Sequence, residues 1–185
     1  MSVFNETKTV ARLTEIIALE YGVSSAAAKQ IHTAAALHDV GKQKIPNSIL
    51  NKPGKLTEQE FEIVKTHTVL GAEILIDIQG ELGKMARIIA MYHHERYDGG
   101  GYWGICTGEL PVYVSITAIA DVFTALVCAR PYKQPWPPLE ALAYIENQTG
   151  MQFDPMLTAV FLPLARNDSR VAALYGGRRD FCKRN

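Results

Sequence analysis

Two adjacent histidines stand directly before a glycine-rich turn in the segment AMYHHERYDGGGYWG, residues 90–104. After His93 and His94 come a glutamate, an arginine and an aspartate. Such groups are costly to bring together unless a metal or a substrate holds them, because buried ionisable groups must be paired or neutralised. The segment therefore indicates a binding or catalytic site.

Four more side chains of the same chemistry lie on, or at the end of, predicted helices that are otherwise apolar: His38, Asp39, His67 and Asp121. A helical bundle could bring all of them to one point. Histidine and carboxylate ligands without thiolate suit Mn²⁺, Fe²⁺ or a similar ion, and more than four candidates suggest two metals. Two ions about 3.5–4 Å apart, sharing a bridging carboxylate such as Asp39, can cleave phosphate esters.

Each of these residues also has a structural interpretation. A single histidine on a helix face, such as His67, is more often a hydrogen-bonded structural residue, and His93 with His94 could interact with a helix dipole. Asp121 lies inside the apolar run of residues 112–129, where a carboxylate needs a partner. Taken jointly, the residues favour a site.

Helical periodicity dominates the sequence, and no run alternates apolar and polar residues over a long stretch, so we predict an all-α protein. Gly22 stands where a helix C-cap is expected, and Thr57 with Glu60 forms a capping box. Proline and glycine between residues 45 and 55 indicate a loop. The predicted helices cover residues 10–21, 24–39, 57–80, 81–94, 112–129, 139–148 and 155–165.

Length and composition indicate one domain over residues 1–185, with the motifs in residues 8–166 and a C-terminal tail at 167–185. The net charge is zero, so no basic field favours a large nucleic acid. The three cysteines form no CxxC pair, which indicates a reducing compartment. The N-terminus lacks a signal-peptide core, and Asp121 makes its apolar run a buried helix rather than a membrane span. We therefore expect a cytoplasmic protein without a membrane contact.

The motifs follow one another in a specific order: HDVGK at 38–42, IPNSILNKPGKLT at 45–57, HHERYDGGGY at 93–102, ADVFTAL at 120–126, RPYK at 130–133 and TGMQFDPMLTAVF at 149–161. In this order they resemble the HD-GYP family of the HD superfamily, over residues 10–164. The resemblance implies an HD-superfamily helical bundle with a metal centre in its core. It also implies hydrolysis of cyclic di-GMP, or a related cyclic dinucleotide, to a linear dinucleotide, and leaves further cleavage to GMP open.

The resemblance implies a role for individual residues as well. It makes Asp39 a bridging ligand and gives catalytic roles to Asp39 and Lys42, with Lys42 facing a substrate phosphate. The implied metal ligands are His38, Asp39, His67, His93, His94 and Asp121, and the implied substrate-binding residues are Lys42, Tyr102, Trp103, Arg130 and Lys133. We expect two divalent ions, Mn or Fe first with Mg, Ni or Zn as alternatives, and Glu6 is the candidate ligand for a third.

The chain departs from the family pattern at the glycine-rich turn. The proline of GYP is replaced by Trp103, and the segment up to Pro111 is one residue shorter than usual. A tryptophan there could stack on a base or pack on the loop. Thr124 stands where an aspartate is common, three residues after Asp121. We expect these departures to affect the identity of the substrate more than the binding of metal.

Two alternatives stay open at this point. The domain could be another HD-type nucleotide phosphohydrolase, or a weakly active signalling module that binds cyclic di-GMP or a diguanylate cyclase partner with a GGDEF domain. The complete set of candidate metal ligands argues against the signalling module, whereas the missing proline of the GYP motif keeps that alternative open. The sequence does not determine the oligomeric state.

Overall fold

The computed structural model describes residues 3–128 and 134–175 of the chain. Within those ranges it contains helices and no β-strand, which confirms the all-α prediction. The α-helices are α1 Val3–Glu20, α2 Ser25–Ala35, α3 Asn47–Leu50, α4 Glu58–Lys65, α5 His67–Ile74, α6 Gly80–Tyr92, α7 Val112–Val127, α8 Pro138–Asn147, α9 Pro155–Asn167 and α10 Ser169–Leu174. Two short 3-10 segments, Val40–Lys44 and Thr107–Glu109, lie between them.

The main core surrounds α7, the helix formed by the longest apolar run. Ile116, Ile119 and Phe123 of α7 are fully buried, and each such side chain stabilises the fold by about 1.5–3 kcal/mol. Helix α1 packs against α2 and α7, while α8, α9 and α10 complete the bundle. None of the helices in the described ranges has both the length and the apolar character to cross a membrane.

A second, smaller core of α2, α5 and α6 positions the candidate ligands. Its buried residues include Ala34, Leu75 and Ile89. The first 3-10 segment, Val40–Lys44, lies so close to α5 that a Cβ atom on Gly41 would be 1.9 Å from the carbonyl oxygen of His67. Only glycine permits this backbone approach. The contact brings the turn that carries Asp39 next to the start of α5.

Two predicted helices end earlier than the periodicity suggests. The second helix stops at Ala35 instead of continuing to residue 39, and the predicted helix 57–80 is divided at Thr66 into α4 and α5. Side-chain hydrogen bonds explain both breaks, because they satisfy carbonyl oxygens that a continued helix would use. His38 bonds the carbonyl of Ala35, and His67 bonds the carbonyl of Val64.

The start of the predicted C-terminal tail contacts the main core. Asp168 accepts a hydrogen bond from the backbone N–H of Arg170 and begins α10, in which Val171 is fully buried. The Tyr175 hydroxyl lies 3.0 Å from the Thr124 hydroxyl on α7. Residues 167–175 are therefore attached to the bundle, and residues 176–185 lie outside the described ranges.

Candidate metal centre

One carboxylate lies at the centre of the candidate site. Asp39 Oδ1 is 3.4 Å from His67 Nε2 and 3.6 Å from His93 Nε2, and Asp39 Oδ2 is 3.3 Å from His38 Nε2. Asp39, His67, His93 and His94 each place one ligand atom within 4.8 Å of the others. Residues from three separate stretches of sequence thus converge on a single carboxylate.

Backbone carbonyls orient the imidazole rings. Nδ1 of His38 lies 2.7 Å from the oxygen of Ala35, and Nδ1 of His67 lies 2.6 Å from that of Val64. His93 Nδ1 lies 3.0 Å from the oxygen of Ile89. A carbonyl can only accept, so each Nδ1 carries a proton, and in the neutral form of each ring Nε2 presents a lone pair to Asp39. All three carbonyls lie in the last turn of a helix, and those of Ala35 and Ile89 also accept the backbone N–H groups of His38 and His93.

The residues present fit a divalent metal. Asp39 Oδ1 is buried and has no hydrogen-bond partner among residues 3–128 and 134–175. His67 Nε2 and His93 Nε2 are 3.5 Å apart, and in the tautomers described above both are acceptors. Buried acceptors that face one another need a shared cation, because a buried polar atom without a partner costs about 1–3 kcal/mol. Nitrogen and carboxylate donors without thiolate suit first-row transition ions.

The pKa shifts describe the same electrostatic arrangement. Burial lowers the pKa of His93, and it lowers that of His94 well below the usual range, which keeps both rings in the neutral, ligating form. Burial also acts to lower the pKa of His38, but the Asp39 and Asp121 carboxylates outweigh it and raise that pKa to about 9. Burial acts to raise the pKa of Asp39, yet His38 holds it well below its usual value. The centre therefore stabilises positive charge.

The remaining candidate ligands lie at different distances from the centre. Asp121 Oδ1 is 3.7 Å from His38 Nε2, so α7 reaches the cluster through that ring. Lys42 Nζ donates to Asp39 Oδ2 at 2.5 Å, on the solvent side of the carboxylate, where the lysine side chain is 37% exposed. Glu6, in the first turn of α1, is half-buried and outside the group of four around Asp39.

Tyr102 and Trp103 form one wall beside the cluster. The Tyr102 ring lies 4.5 Å from the His94 ring at an interplanar angle of 34°, and burial raises the Tyr102 pKa to about 12. The Trp103 indole N–H donates to Thr68 Oγ1 at 3.2 Å, while 41% of the residue stays exposed. Trp103 is thus packed on α5 and still presents a face to solvent.

The glycines between Asp98 and Trp103 allow a sharp turn and a close approach of the backbone to Glu95. Gly99 has a φ of +76°, and a Cβ atom on Gly101 would lie 2.6 Å from Glu95 Cα. Arg96 donates two hydrogen bonds to Asp98, which also accepts the backbone N–H of Gly100. Arg96 and Asp98 therefore stabilise the turn.

Sequence reasoning gave no role to three residues that hold this wall. Phe61 lies edge-on to the Tyr102 ring at 5.8 Å, Thr68 bonds the Trp103 indole, and Glu95 bonds the loop backbone. The sequence did contain a signal for Glu95, because a carboxylate directly after two candidate metal ligands is more than a random surface residue. The sequence contained no such signal for Phe61 or Thr68, since the residues that they contact are distant in sequence.

Other sequence-based expectations concern residues away from the cluster. Thr124, which stands where the family pattern has an aspartate, pairs with Tyr175 in the core. His32, which has no predicted role in the site, lies 3.2 Å from a carboxylate oxygen of Glu15. Arg130 and Lys133, two of the three predicted substrate-binding cations, lie outside the described residues.

Known proteins are similar to this chain over most of its length. The HD domain family matches residues 2–157. The cyclic di-GMP phosphodiesterase response regulator RpfG of Xanthomonas campestris is 47% identical over 141 residues, covering 76% of this chain and 37% of that protein. The 3'3'-cGAMP-specific phosphodiesterase 2 of Vibrio cholerae is 44% identical over 154 residues, covering 83% of this chain and 30% of its own length.

Solved structures share the fold. Bd1817, an HDG"Y"P protein of Bdellovibrio bacteriovorus, superimposes with a TM-score of 0.69 at 17% identity, covering 88% of this chain and 52% of that one. The chain spans about a third of the length of the curated relatives described above. On the extent of the sequence match and the shared bundle, the chain belongs to the HD domain family, with relatives among the HD-GYP cyclic dinucleotide phosphodiesterases.

Proposed function

We propose that this domain is a metal-dependent phosphodiesterase that hydrolyses cyclic di-GMP to a linear dinucleotide, with GMP as the candidate final product. The observation that carries the proposal is the convergence of three backbone-oriented Nε2 atoms on the Asp39 carboxylate. The relative RpfG, 47% identical, is a cyclic di-GMP phosphodiesterase by name and supports the same substrate. The resemblance of the ordered motifs to the HD-GYP family points the same way.

The proposed cofactor is a pair of divalent ions, Mn or Fe first, with Mg, Ni and Zn as alternatives. Asp39 would bridge them, and Glu6 stays the candidate for a third ion. Bound metal ions would polarise a phosphate oxygen of the substrate and bring the pKa of a bound water toward neutrality. The proposed ligands are His38, Asp39, His67, His93, His94 and Asp121.

Other residues would bind and orient the substrate. Lys42, whose ammonium group is next to Asp39, would offset charge on the phosphate that is cleaved. Tyr102 and Trp103 would form the wall beside the phosphate, where a nucleobase can meet an aromatic face. Arg130 and Lys133 would hold phosphate or guanine oxygens, because arginine offers a bidentate fork and lysine a point charge.

A second substrate is favoured by a specific observation. The Vibrio cholerae relative named as 3'3'-cGAMP-specific is 44% identical to this chain. The wall residue at position 103 is a tryptophan here, where the HD-GYP motif has proline. The Tyr102–Trp103 wall differs from the family motif while the metal cluster is retained, which favours a changed base preference. The second candidate substrate is therefore 3'3'-cGAMP. A diguanylate cyclase partner stays a prediction.

The first experiment measures metal per chain and turnover together. The protein is purified without chelator and loaded with Mn²⁺ or Fe²⁺, and cyclic di-GMP and 3'3'-cGAMP are followed in parallel by chromatography. We expect about two ions per chain and release of a linear dinucleotide. His67→Ala should abolish both, whereas His32→Ala, a histidine paired with Glu15 on the α1 side, should change neither.

Two other outcomes would redirect the proposal. Turnover of mononucleotides, but of neither cyclic dinucleotide, would favour another HD-type nucleotide phosphohydrolase. A loaded centre that binds cyclic di-GMP without cleaving it would favour the signalling module. Absence of metal from the wild-type chain, with turnover retained, would contradict the metal centre itself.

A further inference from the structure

Glu95 is a buried carboxyl group that the metal cluster does not use. Its residue exposure is 2%, and it lies outside the group of four ligand-bearing side chains around Asp39. Burying a carboxylate is expensive unless hydrogen bonds satisfy it. Its partners are two backbone N–H groups of the glycine-rich loop: Trp103 donates to Oε1 at 2.7 Å and Ile105 donates to Oε2 at 2.8 Å.

These two bonds fix the backbone immediately after Tyr102. Gly101 lies directly over Glu95, because a Cβ atom at that position would be 2.6 Å from Glu95 Cα and 2.8 Å from Oε2. The loop is thus held against the carboxyl group on both sides of Tyr102. This placement sets the Tyr102 ring against His94 and the Trp103 indole against Thr68.

The other end of the loop has different supports. The backbone N–H of Thr107 donates to the Arg96 carbonyl at 3.1 Å, and that of Asp98 donates to the Met151 carbonyl at 2.8 Å. Those bonds do not involve Glu95. Loss of the Glu95 carboxylate would therefore release the segment from Tyr102 to Ile105 without opening the rest of the turn.

Trp103 takes part in this arrangement through its backbone as well as its ring. Proline has no N–H and cannot donate to Glu95. A chain with the GYP sequence therefore cannot make the 2.7 Å bond from position 103 to Oε1. The tryptophan variant adds one anchor to Glu95 and a second, through the indole, to Thr68.

We propose that Glu95 is a positioning residue: by accepting the backbone N–H groups of Trp103 and Ile105, it fixes the Tyr102–Trp103 wall and so determines how the dinucleotide base is seated. It acts on the substrate through the wall and leaves the metal ligands in place, because His93 is oriented by the Ile89 carbonyl instead. The proposal deepens the phosphodiesterase assignment above and rests on it.

The test is Glu95→Gln, which keeps size but turns one acceptor into a donor that faces a backbone N–H. Loss of a hydrogen bond to a charged group corresponds to about a tenfold effect, so KM for cyclic di-GMP should rise about tenfold. Metal content and kcat should stay at the wild-type level, as should hydrolysis of bis(4-nitrophenyl) phosphate, a small diester that does not need the wall. Glu109→Gln, an exposed glutamate in the second 3-10 segment, is the matched control.

Hydrogen–deuterium exchange gives a readout that does not depend on activity. In the metal-loaded chain, Glu95→Gln should speed exchange in peptides covering residues 103–105 and leave peptides of α6 and α7 unchanged. Trp103→Pro removes one of the two bonds to Glu95 and should speed exchange at Ile105 to a smaller extent, whereas Trp103→Ala keeps the backbone N–H and should keep Ile105 protected. This pair separates the backbone anchor from the indole, and it serves in place of Glu95→Gln if that variant does not fold.

Three results would overturn the proposal. Unchanged exchange at residues 103–105 in Glu95→Gln would show that the carboxylate does not hold the wall. A loss of metal in parallel with activity would place the effect on His93 and His94 instead of the wall. Equal KM increases for cyclic di-GMP and the small diester would exclude a role in base seating.

If the wild-type chain cleaves no cyclic dinucleotide, the proposed function fails, while the exchange data still decide whether Glu95 fixes the wall.

Discussion

The metal cluster and the neighbouring Tyr102–Trp103 wall are oriented by contacts of very different range. His38, His67 and His93 each bond a carbonyl three or four residues earlier in the chain. The wall depends on Glu95, eight residues before Trp103, and on Thr68, 35 residues before it. Local contacts keep the histidines oriented whatever the loop does. The wall can therefore change in sequence while the cluster is retained.

Asp39→Ala is expected to have the largest effect, because it removes the carboxylate that all three oriented imidazoles face. Removal of residues that only support a ligand typically costs 10–100-fold, so loss of Asp39 should lower activity by more than about 100-fold and metal content to near zero. Asp77→Ala, an exposed carboxylate between α5 and α6, is the control and should retain both. Metal analysis and chromatography of the products measure the outcome. Full metal content in Asp39→Ala would mean that the cluster is not organised around this residue.

Gly41→Ala tests whether the locally oriented histidines also need close backbone packing. The new Cβ atom would be 1.9 Å from the His67 carbonyl oxygen and 2.5 Å from Gly71 N, neither of which can move without shifting α5. Overpacking of this kind lowers the free energy of unfolding by about 1–3 kcal/mol or more. Denaturant unfolding in the presence of a chelator isolates this effect from metal binding.

The control for Gly41→Ala is Gly108→Ala, where no atom of the described part of the chain lies within 4 Å of the new Cβ. Its free energy of unfolding should stay within about 0.5 kcal/mol of wild type. Equal stability of the two variants would show that the first 3-10 segment and α5 are not in backbone contact.

Lys42→Ala should reduce turnover without removing metal. The ammonium group lies 2.5 Å from Asp39 Oδ2, and its loss removes a charge next to the proposed phosphate position. A charge-assisted hydrogen bond contributes about 1.5–3 kcal/mol, which corresponds to at least a tenfold decrease in kcat. Lys44→Ala, an exposed lysine two residues later, should behave as wild type. If Lys42→Ala instead loses metal, the lysine serves to hold Asp39 and not the substrate.

The range of the contacts also explains what the sequence could predict. The helical fold follows from periodicity, and the capping box at Thr57 and Glu60 is present in full. The residue types that meet at the cluster could be identified because metal chemistry restricts them to a few. The helix breaks at Ala35 and Thr66 could not be predicted, since they depend on which carbonyl each histidine ring bonds. The position of Glu95 directly after His93 and His94 was a signal, but its role could not be predicted because its partners are backbone atoms, which leave no trace in residue type.

Trp103→Phe should have the smallest effect, and it decides how the wall reaches the substrate. Phenylalanine keeps an aromatic ring and the backbone N–H but loses the indole bond to Thr68 Oγ1, a neutral bond worth about 0.5–1.5 kcal/mol. We expect unchanged metal content and about a threefold shift in the ratio of KM values for cyclic di-GMP and 3'3'-cGAMP.

The matched variant is Thr68→Val, which removes the acceptor from the other side of the same bond. If the indole acts by holding the wall to α5, both single variants and the double variant should show the same KM ratio, because the second change finds no bond left to break. Additive shifts would contradict that result and indicate that the Trp103 ring stacks on the base directly. The cycle therefore distinguishes a ring that packs on the protein from one that reads the substrate, which are the two interpretations of a tryptophan in the place of the GYP proline.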